Sequence, residues 1–446
     1  MTAVLSEVVY KAGARKVWFR LMPIIAFAYI LNYLDRTNIA LAKTHLMADL
    51  GISAAAFGLG AGVFFIAYCL LELPSNLMLH RFGARRWLSR IVVTWGLVST
   101  LTMFVQNEWS FYAMRFLLGV AEAGFYPGLL FYITLWFAGR DRAVAVGFLL
   151  IAPQLATIFG SPLGGWIMTL DGTLGLAGWQ WLLLIEGLPT ILFGIYMWFN
   201  LPDGPRDAKF LNEDEKNAII ASTTVAGTAD AGHHSTWTAV KSVFSSGILL
   251  SIAGIYFVTQ LCVYGITFFM PSIVESFGVK NPVMIGASPA SPPSVQSSAS
   301  CSTHDCSAST AARSRSSRSP WPEPPLATLV ASFAAPTLSV TSLAVMQFFV
   351  TGTAPVMWAL AMSRINGVQA AAGLAMINSI GLLGGFFGPN IFGIADSITG
   401  NPASAIILLT VACVIALGIV ALLRFLLARH AREAEALKTP FADLQV

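Results

Sequence analysis

Long apolar runs alternate with short polar segments along most of the chain. About 20 apolar residues in a helix cross the hydrocarbon core of a bilayer, so runs of this length predict membrane-spanning helices. The predicted spans are residues 21–42, 54–79, 88–105, 110–137, 144–170, 179–201, 247–276, 326–362, 367–394 and 403–427. A polar stretch divides them, which predicts a first six-helix bundle over 1–201, a linker over 202–246, a second bundle over 247–430 and a tail over 431–446.

The charges in the loops predict the orientation of the spans. Basic residues cluster in every second loop, and the intervening loops carry almost none. By the positive-inside rule both termini and the linker are predicted to be cytoplasmic, with the chain in a bacterial inner membrane. The residues on the predicted cytoplasmic side are Arg81, Arg85, Arg86, Arg90, Arg140, Arg142, Arg206, Lys209, Lys216, Lys241, Arg364, Arg424, Arg429 and Arg432, and those on the other side include Lys43, His45 and Asp171.

Composition supports a membrane protein. Hydrophobic residues make up 56% of the chain and charged residues 11%, with a mean hydropathy of +0.70. A soluble domain carries about a quarter charged residues, so most of this exterior is predicted to face lipid.

Motif searches give no sign of enzyme chemistry. The chain has no phosphate-binding Gly-x-x-x-x-Gly-Lys-Ser/Thr, no His-Glu-x-x-His and no Gly-x-Ser-x-Gly. Cys301 and Cys306 flank His304 and Asp305, but their spacing fits no common zinc pattern. We therefore predict neither metal nor cofactor, and expect energy to come from an ion gradient or from substrate exchange.

One segment does not fit this pattern. Residues 287–325 contain 13 Ser and 7 Pro but no Leu, Ile, Phe or Met, at the place where an eighth span belongs. The following run, 326–362, is too long for one span and too short for two. Translation of a shifted reading frame would produce such a segment, and a genuine disordered Ser/Pro-rich insertion is the alternative.

Polar residues inside the first span are candidates for function, because ionisable groups in a membrane are costly. Asn32, Tyr33, Asp35 and Arg36 lie well inside an apolar run. Neighbours in a helix point about 100° apart, so Asp35 and Arg36 each need a separate partner or a wet cavity. The alternative is that both side chains reach the outer interface of the membrane.

The fourth span carries a second charged pair. Arg115 and Glu122 are seven residues apart, which places them on one helix face, and Gly119 between them permits close helix packing. A carboxylate near an arginine can serve as a proton relay, and a structural charge network is the alternative.

Other polar residues within spans have weaker signals. Glu72 and Glu186 are relay candidates, but a structural hydrogen bond near a helix end is favoured for both. In the second half, substrate hydroxyl or carboxylate groups are predicted to be bound by polar residues, with interhelical hydrogen bonding as the alternative. These residues are Gln260, Tyr264, Asn378 and Asn390.

Five stretches resemble the anion:cation symporter branch of the major facilitator superfamily. They are Asn32–Ala40, the loop Pro74-Ser-Asn-Leu-Met-Leu-His-Arg-Phe-Gly-Ala-Arg-Arg86, Arg115–Pro127, Gly178-Trp-Gln-Trp-Leu-Leu-Leu-Ile-Glu-Gly-Leu-Pro189 and Leu201-Pro-Asp-Gly-Pro. The likeness covers residues 16–282 and, less closely, 338–427. It implies an all-α fold with twelve spans in two six-helix bundles, the eighth span and part of the ninth being disrupted here.

The resemblance also implies roles. Asp35 and Glu122 match proton-coupling carboxylates of that branch and Arg115 a coupling arginine. Tyr33 and Arg36 match substrate-binding residues, with Arg36 meeting a substrate carboxylate. Asn32, beside them in the first span, is also predicted to bind substrate. The loop with Arg81, Gly83, Arg85 and Arg86 is predicted to form a tight gating turn or, alternatively, a plain positive-inside anchor.

Together with the charged residues of the spans, the resemblance implies a monomeric secondary transporter that couples protons to the symport of a small organic anion, such as a sugar acid, a tartrate-like acid or an aromatic carboxylate. An organic-anion exchanger or a drug-efflux carrier is an alternative, since Gly160-Ser-Pro-Leu-Gly-Gly165 resembles an antiporter signature. A non-functional carrier remnant is a third, because of residues 287–325.

Overall fold

A computed structural model describes residues 2–225, 246–276, 357–358, 360–361, 368–401 and 404–436. Segment 287–325, Cys301, Cys306, Arg364 and most of run 326–362 lie outside the described residues. The described part is helical and contains no strand. The helices are α1 (Thr2–Leu50), α2 (Ala54–Phe82), α3 (Ala84–Leu101), α4 (Glu108–Glu122), α5 (Phe125–Trp136), α6 (Gly139–Leu149), α7 (Ala152–Leu155), α8 (Ser161–Met168), α9 (Gly178–Asn200), α10 (Glu213–Val225), α11 (Gly247–Ser276), α12 (Val368–Thr399) and α13 (Ser404–Ala436).

Within the described residues, nine helical stretches are long and apolar enough to cross a membrane. Each corresponds to a run predicted from the sequence, and the chain is a multi-pass membrane protein. The all-α prediction is confirmed. The domain boundaries at 201 and 246 stay predictions.

The first span is longer than predicted. Helix α1 continues to Leu50, so Lys43 lies inside the helix and its side chain is only 2% exposed. Our placement of Lys43 in an outer loop was wrong. A half-buried counter-charge, described below, allows an apolar helix to include this residue.

Two spans are interrupted helices. The fourth breaks between α4 and α5, where Gly124 adopts a φ of +83°, a conformation that favours glycine. Glu122 is thereby the last residue of α4. The fifth contains a π-helical turn, Ala156–Gly160, between α7 and α8. Such turns are common at functional sites.

Glycines set the close packing of the first spans. A Cβ built on Gly119 of α4 would lie 2.3 Å from the carbonyl oxygen of Phe64 in α2. A Cβ built on Gly187 of α9 would lie 2.1 Å from the Thr100 hydroxyl of α3. The helices approach at distances that only a missing side chain permits, which fixes the positions of the polar residues beside them.

The described residues form two compact units. The first contains 2–225, 265–276 and 389–401, and so includes the end of α11 and the end of α12. The second contains the remaining described residues. In the second unit α12 packs on α11, where a Cβ on Gly384 would lie 2.1 Å from the carbonyl oxygen of Phe257. Its apolar core includes Met357, Ala361 and Ile377.

Within the first unit, the last part of α1 meets the ends of α11 and α12. The Lys43 ammonium pairs with Asp396 at 3.1 Å and lies 3.6 Å from the Phe269 ring centroid. Nearby, Thr44 donates a hydrogen bond to Glu275 at 2.6 Å, and the Ala55 amide donates to Ser397 at 2.9 Å. We call the contact built from these residues the α1 end cluster.

Candidate functional site

The centre of the first unit holds a buried ion pair between α1 and α4. Glu122 is fully buried, and its Oε2 accepts hydrogen bonds from Arg36 Nη2 at 3.0 Å and Nε at 3.2 Å. The same oxygen accepts a third hydrogen bond from Asn32 Nδ2 at 2.7 Å. Asn32 and Arg36 are four residues apart, so one face of α1 supplies all three donors.

Aromatic rings enclose the Arg36 guanidinium. Its carbon lies 5.7 Å from the Tyr33 ring centroid, 5.3 Å from that of Phe64 and 5.4 Å from that of Tyr68. These distances allow cation–π attraction, which strengthens where water is excluded. The side chain is 13% exposed, so the guanidinium retains limited access to its surroundings.

Asp35 faces a different helix. The hydroxyl of Ser99 in α3 donates a hydrogen bond to its Oδ1, and Asp35 interacts electrostatically with Glu122, Arg115 and Arg36. Asp35 is 7% exposed. The two neighbouring charges thus have separate partners on separate helices, as the 100° separation predicts, and neither reaches out to the interface.

Arg115 is buried on the same side of α4 as Glu122. The guanidinium lies 5.0 Å from the Phe64 ring centroid and near the charges of Asp35 and Glu122. Among the described residues, however, it forms no ion pair within 4.0 Å, and its Nε has no hydrogen-bond partner. The arginine that pairs with Glu122 is therefore Arg36 of α1. The spacing of Arg115 and Glu122 within the fourth span does not indicate this partner.

The predicted gating loop is a tight turn. Gly83 alone separates α2 from α3, with a φ of +87°. Asp203 lies just after α9. Its Oδ1 accepts a hydrogen bond from the backbone amide of Arg85 at 2.9 Å, and its Oδ2 lies 3.6 Å from Arg85 Nε. Arg81 lies over the Phe82 ring, and Arg86 is exposed. Asp203 is therefore an acidic partner of this loop.

The candidates of the second half lie in α11 and α12. Tyr264 is buried, while Gln260, Asn378 and Asn390 are half-buried. The first unit contains Asn390 and the second contains Gln260, Tyr264 and Asn378. Their substrate-binding role stays a prediction.

Sequence reasoning missed several polar residues. Ser99 was not recognised as a partner of Asp35, because a serine within an apolar span can hydrogen-bond to its own backbone or to many other groups. Asn38 was not singled out, although its whole amide is buried and without a hydrogen-bond partner among the described residues. Glu186 was assigned a structural hydrogen bond near a helix end, which is wrong. It lies well inside α9, and neither carboxylate oxygen has a hydrogen-bond partner in the described part of the chain.

The described residues contain no group of three or more His, Cys, Asp or Glu side chains that would hold a metal ion.

Comparison with known proteins defines the class. The family model of the Major Facilitator Superfamily matches residues 25–389, and the chain belongs to this superfamily of membrane transporters. The predicted resemblance to its anion:cation symporter branch is confirmed.

Two curated relatives and one solved structure are similar over most of the chain. The "Putative tartrate transporter" of Agrobacterium vitis is 38% identical, covering 87% of this chain and 86% of that protein. The "Quinolone resistance transporter" of Acinetobacter baumannii is 34% identical, covering 89% and 91%. The inward-facing, unoccupied crystal structure of a bacterial homolog of the human lysosomal transporter Spinster has a TM-score of 0.74 at 17% identity, covering 90% and 96%. The relatives are transporters, and the solved structure shares the fold.

Proposed function

We propose that this chain is a proton-coupled symporter of a small organic anion, working by alternating access. The observation that carries the proposal is the buried Arg36–Glu122 pair with Asn32. A guanidinium binds a carboxylate through two parallel hydrogen bonds, so Arg36 suits a carboxylate substrate better than a cationic one.

The pair supplies a means of coupling. Two of the three donors to Glu122 Oε2 belong to Arg36. A substrate carboxylate that binds the Arg36 guanidinium in place of Glu122 removes both of these hydrogen bonds. Glu122 then loses its ion-pair partner and keeps only the more distant charge of Arg115, a state that costs free energy unless a proton is bound. Substrate binding therefore favours proton binding at Glu122.

The coupling is reciprocal, because linkage requires each ligand to promote the other by the same factor. A proton on Glu122 weakens its hold on Arg36 and frees the guanidinium for substrate. Asp35, with its own partner Ser99, is a second proton-binding group in the proposal. Arg115 acts on both carboxylates through its charge.

The substrate class rests on Arg36 and on relatives such as the one named as a tartrate transporter. We propose a small hydroxy carboxylate, held by Arg36 and Tyr33 from the first half and by Gln260, Tyr264, Asn378 or Asn390 from the second. The loop Arg81–Arg86 acts as a gate. The transporter is a monomer in the bacterial inner membrane, with both termini cytoplasmic.

Uptake into proteoliposomes tests the proposal. Labelled tartrate is expected to accumulate when an inward proton gradient is imposed, and Asp35→Asn and Glu122→Gln are expected to abolish accumulation. Exchange of internal for external tartrate needs no net proton movement and is expected to survive at least in part. Accumulation by both variants at the native level would overturn the assignment of the coupling carboxylates.

The alternative function is exchange or drug efflux. The relative named as a quinolone resistance transporter favours it. An assay of quinolone retention in cells, with and without expression, separates the two. Reduced retention with no tartrate uptake would establish efflux.

A carrier remnant is a further alternative, because of residues 287–325. Resequencing the DNA that encodes residues 280–330 tests it. A shifted frame that restores an apolar eighth span would favour an active symporter. Confirmation of the printed sequence, together with absent transport, would favour the remnant.

A further inference from the structure

Helix α1 has a second polar face, distinct from the one that binds Glu122. Asp35 and Asn38 are three residues apart and therefore share this face. Asn38 is 1% exposed, and a Cβ built on Gly164 of α8 would lie 3.7 Å from its Oδ1. Among the described residues, Asp35 Oδ2 and both amide atoms of Asn38 have no hydrogen-bond partner. Three buried polar atoms thus face the side of α1 where α3, α8 and α9 lie.

Glu186 of α9 lies on this side. Both of its carboxylate oxygens are inaccessible to solvent, and neither has a hydrogen-bond partner in the described part of the chain. Asp35 is the charged group that acts on it electrostatically. The next residue, Gly187, packs directly on Thr100, the neighbour of the Ser99 that binds Asp35. Helix packing therefore brings the backbone of Glu186 close to the turn of α3 that holds Asp35.

Among the described residues, no positively charged side chain acts on Glu186 electrostatically. The α8 helix and the turn Thr102–Phe104, which also pack on α9, contain no titratable side chain. The neighbouring turn of α3 contributes the hydroxyls of Ser99 and Thr100. An ionised carboxylate buried without donor or counter-charge costs several kcal/mol, whereas a protonated carboxyl group is neutral. The protonated form is therefore the resting form of Glu186, and the ionised form is a state of higher free energy.

We propose that Glu186 is a third proton-binding group of the transporter, beside Glu122 and Asp35, and exchanges its proton with Asp35. The step moves one proton from a carboxyl oxygen of Glu186 to Oδ2 of Asp35, directly or through a water molecule. One carboxylate is ionised before the step and one after it, so the charge of the pair is unchanged. Repulsion between like charges disfavours the state in which both are ionised.

This inference rests on the proposed symport. It adds a proton position on the side of α1 away from the Arg36–Glu122 pair, so that a proton on Glu186 and the substrate at Arg36 lie on different faces of α1. Asn38 lies beside this route and can donate or accept a hydrogen bond along it.

The first test needs no transport. The purified protein at neutral pH is expected to show the infrared carbonyl band of a protonated carboxyl group, and Glu186→Gln is expected to lose it. Glu213→Gln is the matched control, because the Glu213 side chain is 81% exposed and removes no buried carboxyl group. A band unchanged by Glu186→Gln would overturn the proposal, whether or not the protein transports tartrate.

The second test uses proteoliposomes. Glu186→Gln is expected to lower proton-driven accumulation of tartrate at least tenfold while tartrate exchange continues. Glu186→Asp keeps a carboxyl group and is expected to restore accumulation with a displaced pH profile. Native accumulation and a native pH profile in Glu186→Gln would overturn the exchange with Asp35. If the unmodified protein accumulates no carboxylate, the proposed function fails, and the infrared band still decides where the proton lies.

Discussion

At the scale of the residue, the most informative contact is the one in which a single oxygen of Glu122 accepts three hydrogen bonds. Removing Arg36 leaves this buried carboxylate without its ion-pair partner. Breaking a buried pair on one side typically costs about 3–5 kcal/mol, so we expect Arg36→Ala to lower the thermal denaturation temperature of the purified protein markedly.

A double variant supplies the control. In Arg36→Ala/Glu122→Gln both charges of the ion pair are removed together, so most of the lost stability is expected to return. Equal denaturation temperatures for the single and double variants would show that the ion pair does not cause the loss.

The sequence identified most members of this site. Charges within apolar runs are rare, which is why Asp35, Arg36, Arg115 and Glu122 were recognisable. Their pairing was not, because a spacing within one helix says nothing about contacts with another. The Arg115–Glu122 spacing suggested a pair within α4, and the observed partner of Glu122 is Arg36 of α1.

At the scale of the element, Gly119 controls how α4 packs on α2. A Cβ there would lie 2.3 Å from a backbone oxygen, which cannot move without moving the helix. We expect Gly119→Ala to destabilise the protein by about 1–3 kcal/mol. It is also expected to weaken tartrate uptake, because α4 carries both Arg115 and Glu122.

Gly147 of α6 is the matched position. Among the described residues, no atom outside the adjoining backbone of its own helix lies within 4 Å of a Cβ built there. Gly147→Ala is therefore expected to stabilise its helix by about 0.5–1 kcal/mol. Thermal denaturation compares the two alanine variants. An equal loss of stability in Gly119→Ala and Gly147→Ala would refute the explanation by helix packing.

Helix α10 is attached to α1 by Glu215. Its oxygens lie 2.7 and 2.9 Å from Lys16 Nζ, and Oε2 accepts a hydrogen bond from the Asn212 amide at 3.0 Å. Burial acts to raise the pKa of Glu215, but these hydrogen bonds and the charge of Lys16 outweigh it, so the pKa is lowered. A lowered carboxyl pKa contributes stability at neutral pH that is lost as the pH falls through the folded-state value.

We therefore expect α10 to detach below about pH 4, near the usual carboxyl value. Fluorescence anisotropy of a dye attached to Asn217→Cys, an exposed site on α10, measures this. With Glu215→Gln the anisotropy is expected to be lower at pH 7 and not to change over the same range. A pH response that persists in Glu215→Gln would assign it to another group.

Spans were easier to predict than their ends and interruptions. Hydrophobicity over 20 residues determines whether a helix enters lipid, and each described span lies where an apolar run predicts it. The break at Gly124 and the π-helical turn at Ala156–Gly160 depend on local backbone geometry and neighbouring helices. Helix α1 continues past Lys43 because Asp396 of α12 supplies a counter-charge. Hydropathy takes no account of such pairs, so the predicted first span ended before Lys43.

At the scale of the whole molecule, the Lys43–Asp396 pair joins distant parts of the sequence. We expect Lys43→Met and Asp396→Asn each to lower stability, by about 3–5 kcal/mol if the remaining charge stays buried. The exchanged variant Lys43→Asp/Asp396→Lys is expected to recover part of the loss.

Lys216→Met is the control in the same denaturation experiment. Its partner Glu213 is 81% exposed, and such a surface pair is worth about 0–1 kcal/mol. A loss in Lys43→Met no larger than in Lys216→Met would show that the buried pair contributes little. One sequence could not reveal this pair, because it carries no information on which distant residues touch.

The α1 end cluster has a consequence for biosynthesis. Lys43 and Asp396 are 353 residues apart. A ribosome adds about 5–20 residues per second, so Asp396 is made roughly 18–70 s after Lys43. Throughout that interval the newly inserted first span carries a lysine whose permanent counter-ion does not yet exist. Water or lipid phosphate must hold its ammonium group at the membrane surface until the end of α12 arrives. The unit that contains the six spans made first is therefore incomplete until nearly the whole chain has left the ribosome. Until then, the end of α1 lacks its contacts with the ends of α11 and α12.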